Sequence, residues 1–134
     1  MSLSEPTDPI GARSAVTDTD IRRLVEAFYT RVREDDLLGP IFAREVAEWS
    51  RHLPKMTDFW STVILRTGRY AGRPIEAHLR IDGLSPDHFR RWLGLWESTV
   101  GDEMPPEARD AFVLAARRMA SSMQSRLFPA GGPH

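Results

Sequence analysis

Histidine is the side chain in this sequence best suited to bind a metal or to move a proton near neutral pH. The chain has four of them: His52, His78, His88 and His134. His52 and His78 each stand among apolar residues, on two segments separated by a glycine-containing loop, whereas His88 falls in the first turn of a predicted helix and His134 ends the chain. Spacing alone favours structural roles, and it leaves His52 and His78 as the better candidates for a ligand or catalytic role.

Most other catalytic patterns are missing from the sequence. The chain has no cysteine, which excludes disulfides, thiolate metal sites, a cysteine nucleophile and covalent haem attachment through a CxxCH motif. No HExxH zinc motif, glycine-rich phosphate loop or nucleophile elbow occurs. The acidic pairs Asp35–Asp36 and Asp102–Glu103 fall in predicted turns between helices, so we expect them to be solvated charges.

Aromatic side chains are the second feature that bears on chemistry. The chain has four Trp, six Phe and two Tyr, and Tyr29, Trp60, Trp92 and Trp96 have polar edges that need partners when they are buried. Such a set can simply pack a core. It also suits haem, whose iron takes an imidazole ligand and whose flat macrocycle packs between helices. Both interpretations stay open on the residues alone.

Length and charge limit the class of protein. With 134 residues, of which 41% are hydrophobic, the chain fits one soluble globular domain. The net charge of −1 provides no basic field for nucleic acid. No apolar run approaches the roughly 18 residues of a membrane span, and the N terminus lacks the apolar core of a secretory signal. We expect a cytoplasmic protein that binds neither nucleic acid nor membrane.

Apolar spacing predicts helices through nearly the whole chain. The first predicted helix begins after Thr17 or Asp18, and the second covers approximately 46–65. The short string PIEAHL at 74–79 forms the third. The fourth begins at Ser85–Pro86, and the last covers about 106–127. Pro54 marks a late start or a bend in the second of them. The first helix is predicted to end at Leu37–Pro40, and the apolar pair Ile41–Phe42 is predicted to follow a sharp corner there. No segment alternates as a strand does, so we predict an all-α domain over 17–128, with flexible segments at 1–16 and 129–134.

Four strings, in this order and with these gaps, carry a resemblance: FYTRVREDDLLGPIF, EWSRHLPKMTDFW, GRPIEAHL and DHFRRWLGLWESTV. Together they resemble the bacterial truncated haemoglobins of the third group, over approximately residues 18–127. The resemblance implies a two-over-two helical sandwich around haem b. Pro54 belongs to the HLPKM pattern of this group, and the isolated Gly68 and Gly72, in place of double-glycine motifs, are also typical of it.

The resemblance implies roles for individual residues. His78 matches the proximal histidine that bonds the haem iron. Tyr29 and Trp92 match distal hydrogen-bond donors, and His52 matches the residue beside the sixth coordination position, so these three are the expected catalytic residues. Lys55 is expected to reach a haem propionate. The full set of further expected haem contacts is Phe42, Lys55, Met56, Phe59, Trp60, Leu79, Phe89 and Trp96. Trp96 stands where the family has phenylalanine, and we expect it to shift or enlarge the proximal wall.

The activity that the resemblance implies is that of a b-type haem protein binding dioxygen, nitric oxide and carbon monoxide. Distal donors of this kind suit peroxidase-like or nitric-oxide-consuming chemistry better than bulk oxygen transport. A separate reductase would supply electrons, since the chain has no flavin- or nicotinamide-binding segment. The alternative, from another class, is a haem-free helical interaction domain in which the aromatic residues form the core and the histidines are structural.

Overall fold

A computed structural model describes residues 16–129, apart from the side chains of residues 75, 76 and 79. This part of the chain forms α-helices and contains no strand, which confirms the predicted all-α class. The helices are α1 (Asp18–Glu34), α2 (Leu38–Glu45), α3 (Trp49–Leu65), α4 (Pro74–Leu79), α5 (Pro86–Glu103) and α6 (Pro106–Leu127). The predicted flexible segments, and His134 with them, lie almost wholly outside the described residues.

Side-chain caps set where α1 and α5 begin. At α1 the Asp20 amide donates to Thr17 Oγ1 at 3.2 Å, and the Thr17 amide donates to Asp20 Oδ2 at 2.9 Å, which is a capping box. At α5 the Ser85 amide donates to Nδ1 of His88 at 3.1 Å, and Pro86 occupies the first turn. His88 therefore has the structural role that its position favours.

Helix α2 forms where the sequence predicts only a corner. It begins at Leu38, so Pro40 is its third residue. The first turn of a helix has no intrahelical acceptor for its N–H groups, and a proline there removes no hydrogen bond. The prediction was wrong because it took Pro40 as the end of one helix and overlooked it as the start of another.

Of the two acidic pairs that were expected to be solvated, one residue, Asp35, is not. Asp35 Oδ2 accepts from the amides of Leu37 at 3.0 Å and Leu38 at 2.9 Å, and Oδ1 accepts from Arg91 at 2.5 Å. Its side chain is only 9% exposed, so the expectation of a solvated charge is wrong for Asp35. Asp102–Glu103 form the last turn of α5 and are exposed, as expected.

Helix α3 begins at Trp49 and contains Pro54. Pro54 has no N–H for the Ser50 carbonyl, and the helix tolerates this gap within its first two turns. The helix ends at Arg66, whose φ of 60° and ψ of 38° are left-handed. Among the described residues, Arg66 is the one non-glycine position with positive φ.

The helices pack as two pairs. Helix α1 packs on α3, α5 packs on α6, and the pairs meet where α1 packs on α5. The core between them is formed by large side chains that are almost fully buried: Ile21, Leu24, Val25, Phe28, Val32, Trp60, Trp96, Val100 and Phe112. A smaller cluster of Phe89, Ala120 and Met123 joins α5 to α6. None of the helices in the described part is both long and apolar enough to cross a membrane.

Two arginines attach the segments on either side of the short helix α4. Before it, Arg69 donates to Asp58 Oδ1 at 3.1 Å and to Asp18 Oδ1 at 2.6 Å. After it, Arg44 of α2 donates to the Asp82 carbonyl at 2.7 Å. Helix α4 itself packs against α6. The position of α4 is therefore fixed by its own contact with α6 and by the arginine contacts that attach its flanking segments to α1, α2 and α3.

Candidate functional site

Four rings meet where α1, α2 and α3 converge. Tyr29 is at the centre, and the ring centroids of Phe42, Trp49 and His52 lie 5.7, 5.6 and 5.1 Å from its own. Trp49 also contacts His52 edge-on at 5.4 Å. We call these four residues the Tyr29 cluster. The structure thus brings together three of the sequence-predicted site residues, from three separate helices.

Trp49 is the member of this cluster that sequence reasoning missed. It precedes His52 by one helical turn on α3, so the two side chains share a face. The guanidinium of Arg33 lies 4.7 Å from the Trp49 ring centroid, a cation–π distance. The sequence does contain a signal for Trp49, which is its spacing of three residues from His52 in EWSRH. That spacing points to the site only if His52 is already taken as a site residue.

His52 contains an unpaired polar atom. Its Nε2 is buried and has no hydrogen-bond partner among the described residues. Leaving such an atom unpaired costs about 1–3 kcal/mol, so an unpaired atom in a packed protein calls for a missing partner. Burial, followed by the charges of Lys55 and His78, lowers the pKa of His52. The ring is therefore neutral at pH 7, and Nε2 is available to an exogenous ligand.

His78 is oriented by the backbone. Its Nδ1 lies 2.6 Å from the carbonyl oxygen of Pro74, one turn earlier on α4. Because a carbonyl only accepts, Nδ1 must carry the proton, and the lone pair of the neutral ring is on Nε2. This is the arrangement typical of a metal-ligating histidine. The charge of His78 is the smallest of the three influences that lower the pKa of His52.

Tyr29 and Trp92, the two expected distal donors, differ in their position relative to the Tyr29 cluster. Tyr29 is 6% exposed, and burial raises the pKa of its hydroxyl well above the ordinary value, so the hydroxyl remains a donor. Trp92 contacts Phe28 edge-on at 5.8 Å, and Phe28 contacts Tyr29 at 4.9 Å. Trp92 is thus one phenyl ring away from Tyr29 and not a direct member of the Tyr29 cluster.

Three of the four expected contacts on helix α3 follow His52 within about two turns. Lys55 is exposed and lies close enough to lower the pKa of His52. Met56 and Phe59 are partly buried against the core. The same helix therefore carries His52, two apolar side chains packed on the core and one exposed cation.

Three further expected contacts lie deeper in the molecule. Trp60 and Trp96 are 2% and 0% exposed, and their rings stack at 4.3 Å. The indole N–H of Trp96 donates to the Phe112 carbonyl at 3.1 Å. Phe89 belongs to the second core cluster, between α5 and α6. The structure does not bring these three to the Tyr29 cluster, and the side chain of Leu79 lies outside what it describes.

The donor set fits an iron that is carried by haem. Within the described residues there is no group of three or more acidic or imidazole side chains that can hold a metal ion. Haem needs only one axial protein ligand and apolar surfaces for its macrocycle. His78 with its fixed tautomer, the unpaired Nε2 of His52 and the aromatic residues around them meet those needs.

Comparisons with known proteins find relatives of this chain by sequence and by structure, but not by family model. No family model matches the chain. The chain is 32% identical over 121 residues to the group 3 truncated hemoglobin ctb of Campylobacter jejuni, covering 87% of this chain and 95% of that protein. The crystal structure of a group III truncated hemoglobin from Campylobacter jejuni matches with a TM-score of 0.83 and 31% identity, covering 89% of this chain and 97% of that one.

Proposed function

Since this chain belongs to the group 3 truncated haemoglobins and has their two-over-two helical fold, we propose that it binds haem b through His78. The proposed ligands are dioxygen, nitric oxide and carbon monoxide. The observation that carries the proposal is the pair of imidazoles: His78 has its Nδ1 proton held by Pro74, and His52 has a buried Nε2 with no partner. A buried ring nitrogen of a purely structural histidine is expected to have a hydrogen-bond partner.

The residues of the chain would divide the work at the site. Haem supplies the iron to which the ligand binds. His78 would hold the iron through Nε2, because Pro74 fixes the proton on Nδ1. The Tyr29 hydroxyl stays protonated and donates to the polar end of the ligand, and Trp92 offers a second N–H. The neutral His52 ring can accept a proton at Nε2 or donate a hydrogen bond after it has taken one.

This set of donors favours redox chemistry over bulk oxygen transport. Hydrogen bonds to a partly negative ligand are charge-assisted and slow its release. A neutral buried imidazole beside the ligand is also the group that a peroxidase-like reaction needs as a general base. We therefore propose peroxidase-like or nitric-oxide-consuming chemistry, with a separate reductase restoring the ferrous state. The protein is proposed to work in the cytoplasm, as a domain over residues 17–128.

A visible absorption spectrum of the purified protein with added haemin tests haem binding. A sharp Soret band that shifts on reduction, and again with carbon monoxide, is the expected result. A spectrum identical to that of free haemin contradicts the proposal and favours the haem-free helical interaction domain.

Two assays then separate the reactions. Peroxide turnover faster than that of free haem supports the peroxidase-like reaction, and equal turnover contradicts it. Nitrate formation from nitric oxide by the oxygenated protein, faster than in buffer alone, supports nitric oxide consumption. A rate equal to that of the buffer contradicts that reaction and leaves reversible ligand binding.

A further inference from the structure

A continuous series of aromatic rings crosses the core from Trp92 to Tyr70. Trp92 lies parallel to Trp96 at a centroid distance of 6.1 Å, and Trp96 stacks on Trp60 at 4.3 Å. Phe59 follows, 5.4 Å from Trp60, and it contacts Tyr70 edge-on at 5.0 Å. We call these five residues the aromatic chain. One end is the residue proposed as a distal donor, and the other is in the connection between α3 and α4.

The two ends of the aromatic chain differ from its middle in exposure. Trp96 and Trp60 are buried, and the N–H of Trp96 is bonded to the Phe112 carbonyl. Because a carbonyl is no base, an indole that loses an electron there has no group to take its proton. Tyr70 is partly exposed on the surface connection, so water can take the proton of its hydroxyl. Oxidation would therefore pass through the indoles and come to rest on Tyr70.

Tyr70 is held in place by its backbone surroundings. Its amide donates to Thr62 Oγ1 of α3 at 3.0 Å. Its hydroxyl lies against Gly72, where an added Cβ would collide with it. The ring therefore keeps its contact with Phe59 while the hydroxyl lies beside bare backbone at the surface.

We propose that the aromatic chain conducts one-electron oxidation from the haem site to Tyr70, where phenolic donors at the surface are oxidised. This inference rests on the proposed haem function and extends it to a second, surface site. Tyrosine and tryptophan are the side chains most easily oxidised in this way in a protein without cysteine. Phe59 is not oxidised, and it bridges the step between Trp60 and Tyr70.

The reaction balances with hydrogen peroxide as the oxidant. Reducing one peroxide to two waters takes two electrons and two protons. An electron leaves Trp92 for the oxidised site, and electrons from Trp96, Trp60 and Tyr70 in turn restore each indole, while the Tyr70 hydroxyl gives its proton to water. A phenolic donor then returns an electron and a proton to Tyr70 and leaves as a phenoxyl radical. Two phenols are consumed for each peroxide.

Spin trapping tests where the oxidation comes to rest. The haem-loaded ferric protein is treated with one equivalent of peroxide and a nitroso spin trap, digested, and analysed by mass spectrometry. The chain has only two tyrosines, so a trapped tyrosyl adduct is either on Tyr29 or on Tyr70. We expect it on Tyr70. An adduct confined to Tyr29, or to residues outside the aromatic chain, overturns the proposal.

Conservative variants separate conduction from packing. Trp60→Phe and Trp96→Phe keep an aromatic ring in the core but remove an oxidisable indole, which lengthens the gap between the remaining oxidisable rings. Each is therefore expected to lower the yield of the Tyr70 adduct at least several-fold. Phe112→Leu removes a buried ring that packs against Trp60 and Trp96 but lies outside the aromatic chain. It is the matched control, for which we expect the same amount of Tyr70 adduct per peroxide consumed. An unchanged Tyr70 adduct in both core variants overturns the proposal. Tyr70→Phe, at the surface, provides a variant that does not disturb the core, and it should lose the tyrosyl signal in electron paramagnetic resonance.

The two levels of the proposal fail in different ways. If no haem spectrum forms, the proposed function fails and the inference fails with it. If haem binds and peroxide is consumed without an adduct at Tyr70, the proposed function stands and only the aromatic chain is rejected.

Discussion

His78 and His88 lie on neighbouring elements and have opposite expected roles. His78 offers a ring nitrogen to an external partner, whereas Nδ1 of His88 accepts the Ser85 amide at the start of α5. We expect His78→Ala to lose the Soret band of the haem-loaded protein, since it removes the axial ligand. His88→Ala is the matched control: it should keep the band and lose about 1 kcal/mol of stability with its cap. An unchanged band in His78→Ala contradicts the assignment.

His52 is expected to trade stability for function. Its unpaired buried Nε2 destabilises the protein without ligand, so His52→Leu should raise the free energy of unfolding of the haem-free protein by about 1 kcal/mol. The same variant should bind haem through His78 and turn over peroxide at least about 100-fold more slowly, the low end of a general base's contribution. Urea unfolding and peroxide assays measure the two effects. A less stable haem-free variant would show that Nε2 has a partner in the wild type.

Asp35 makes stability depend on pH. Burial raises the pKa of its carboxyl, but the Leu38 amide, the Arg91 guanidinium and the Leu37 amide together bring it below the ordinary 3.8. The folded state therefore favours the carboxylate, and this stabilisation is complete above pH 3.8 and is lost as the pH falls through the lowered value. We expect Asp35→Asn to lose about 1–3 kcal/mol at pH 7.

Denaturant unfolding across pH measures this effect. The gap between wild type and Asp35→Asn should close below pH 3.8. Asp36→Asn, at the exposed neighbouring position, is the control and should leave stability unchanged. A gap that persists at low pH would assign the loss to packing and not to charge.

At the scale of the helices, the end of α3 is the place where the backbone is strained. Arg66 adopts a left-handed conformation that costs most side chains about 1–2 kcal/mol. Arg66→Gly should therefore raise the free energy of unfolding by about 0.5–1 kcal/mol. Arg66→Ala keeps the strained Cβ and is the matched control, with no gain expected. Thermal unfolding of the two variants decides, and equal midpoints would mean that Arg66 is not strained.

The helix bounds show which local signals can be read from sequence. Thr17 or Asp18 was predicted as the cap of α1 and Ser85 as the cap of α5. The structure places the caps at Thr17 and Ser85, each paired with the residue three positions later. Pro40 was misread, because a proline ends one helix and starts another by the same chemistry. For the same reason Pro54 left the predicted start of α3 undecided between a late start and a bend, and the structure places that start at Trp49.

At the scale of the whole molecule, haem would connect α4 to helices with which α4 otherwise has few contacts. Helix α4 packs on α6 and is tied by single arginines to the rest of the chain. A ligand that binds only the folded state stabilises it in proportion to the logarithm of its concentration over the dissociation constant. At 1,000 times that constant the gain is about 4 kcal/mol.

We therefore expect haem to raise the midpoint of thermal unfolding by on the order of 10 °C or more. Circular dichroism with and without haemin measures it. His78→Ala is the control, and its midpoint should not respond to haemin. A wild-type midpoint that is also unchanged by haemin contradicts specific binding.

Part of the site could be predicted and part could not. Roles for His52, His78 and Tyr29 were predicted because a family resemblance marked their positions, and spacing alone did not separate them from structural residues. Trp49 was missed, and Trp60 and Trp96 were expected at the haem but lie in the core, joined to Trp92 by stacking. Whether an aromatic residue on a helix faces a pocket or the core depends on the neighbouring helices, which the periodicity of one helix does not describe.

The sequence by itself determined the all-α class, most of the helices and the absence of thiolate chemistry, because apolar periodicity, caps and composition act within a few residues of the chain. The packing of the helices brings Tyr29, Phe42, Trp49 and His52 together, pairs Asp35 with Arg91, and extends a series of rings to Tyr70. These contacts join residues from different helices. They follow from how the helices pack against one another, and no local pattern contains that information.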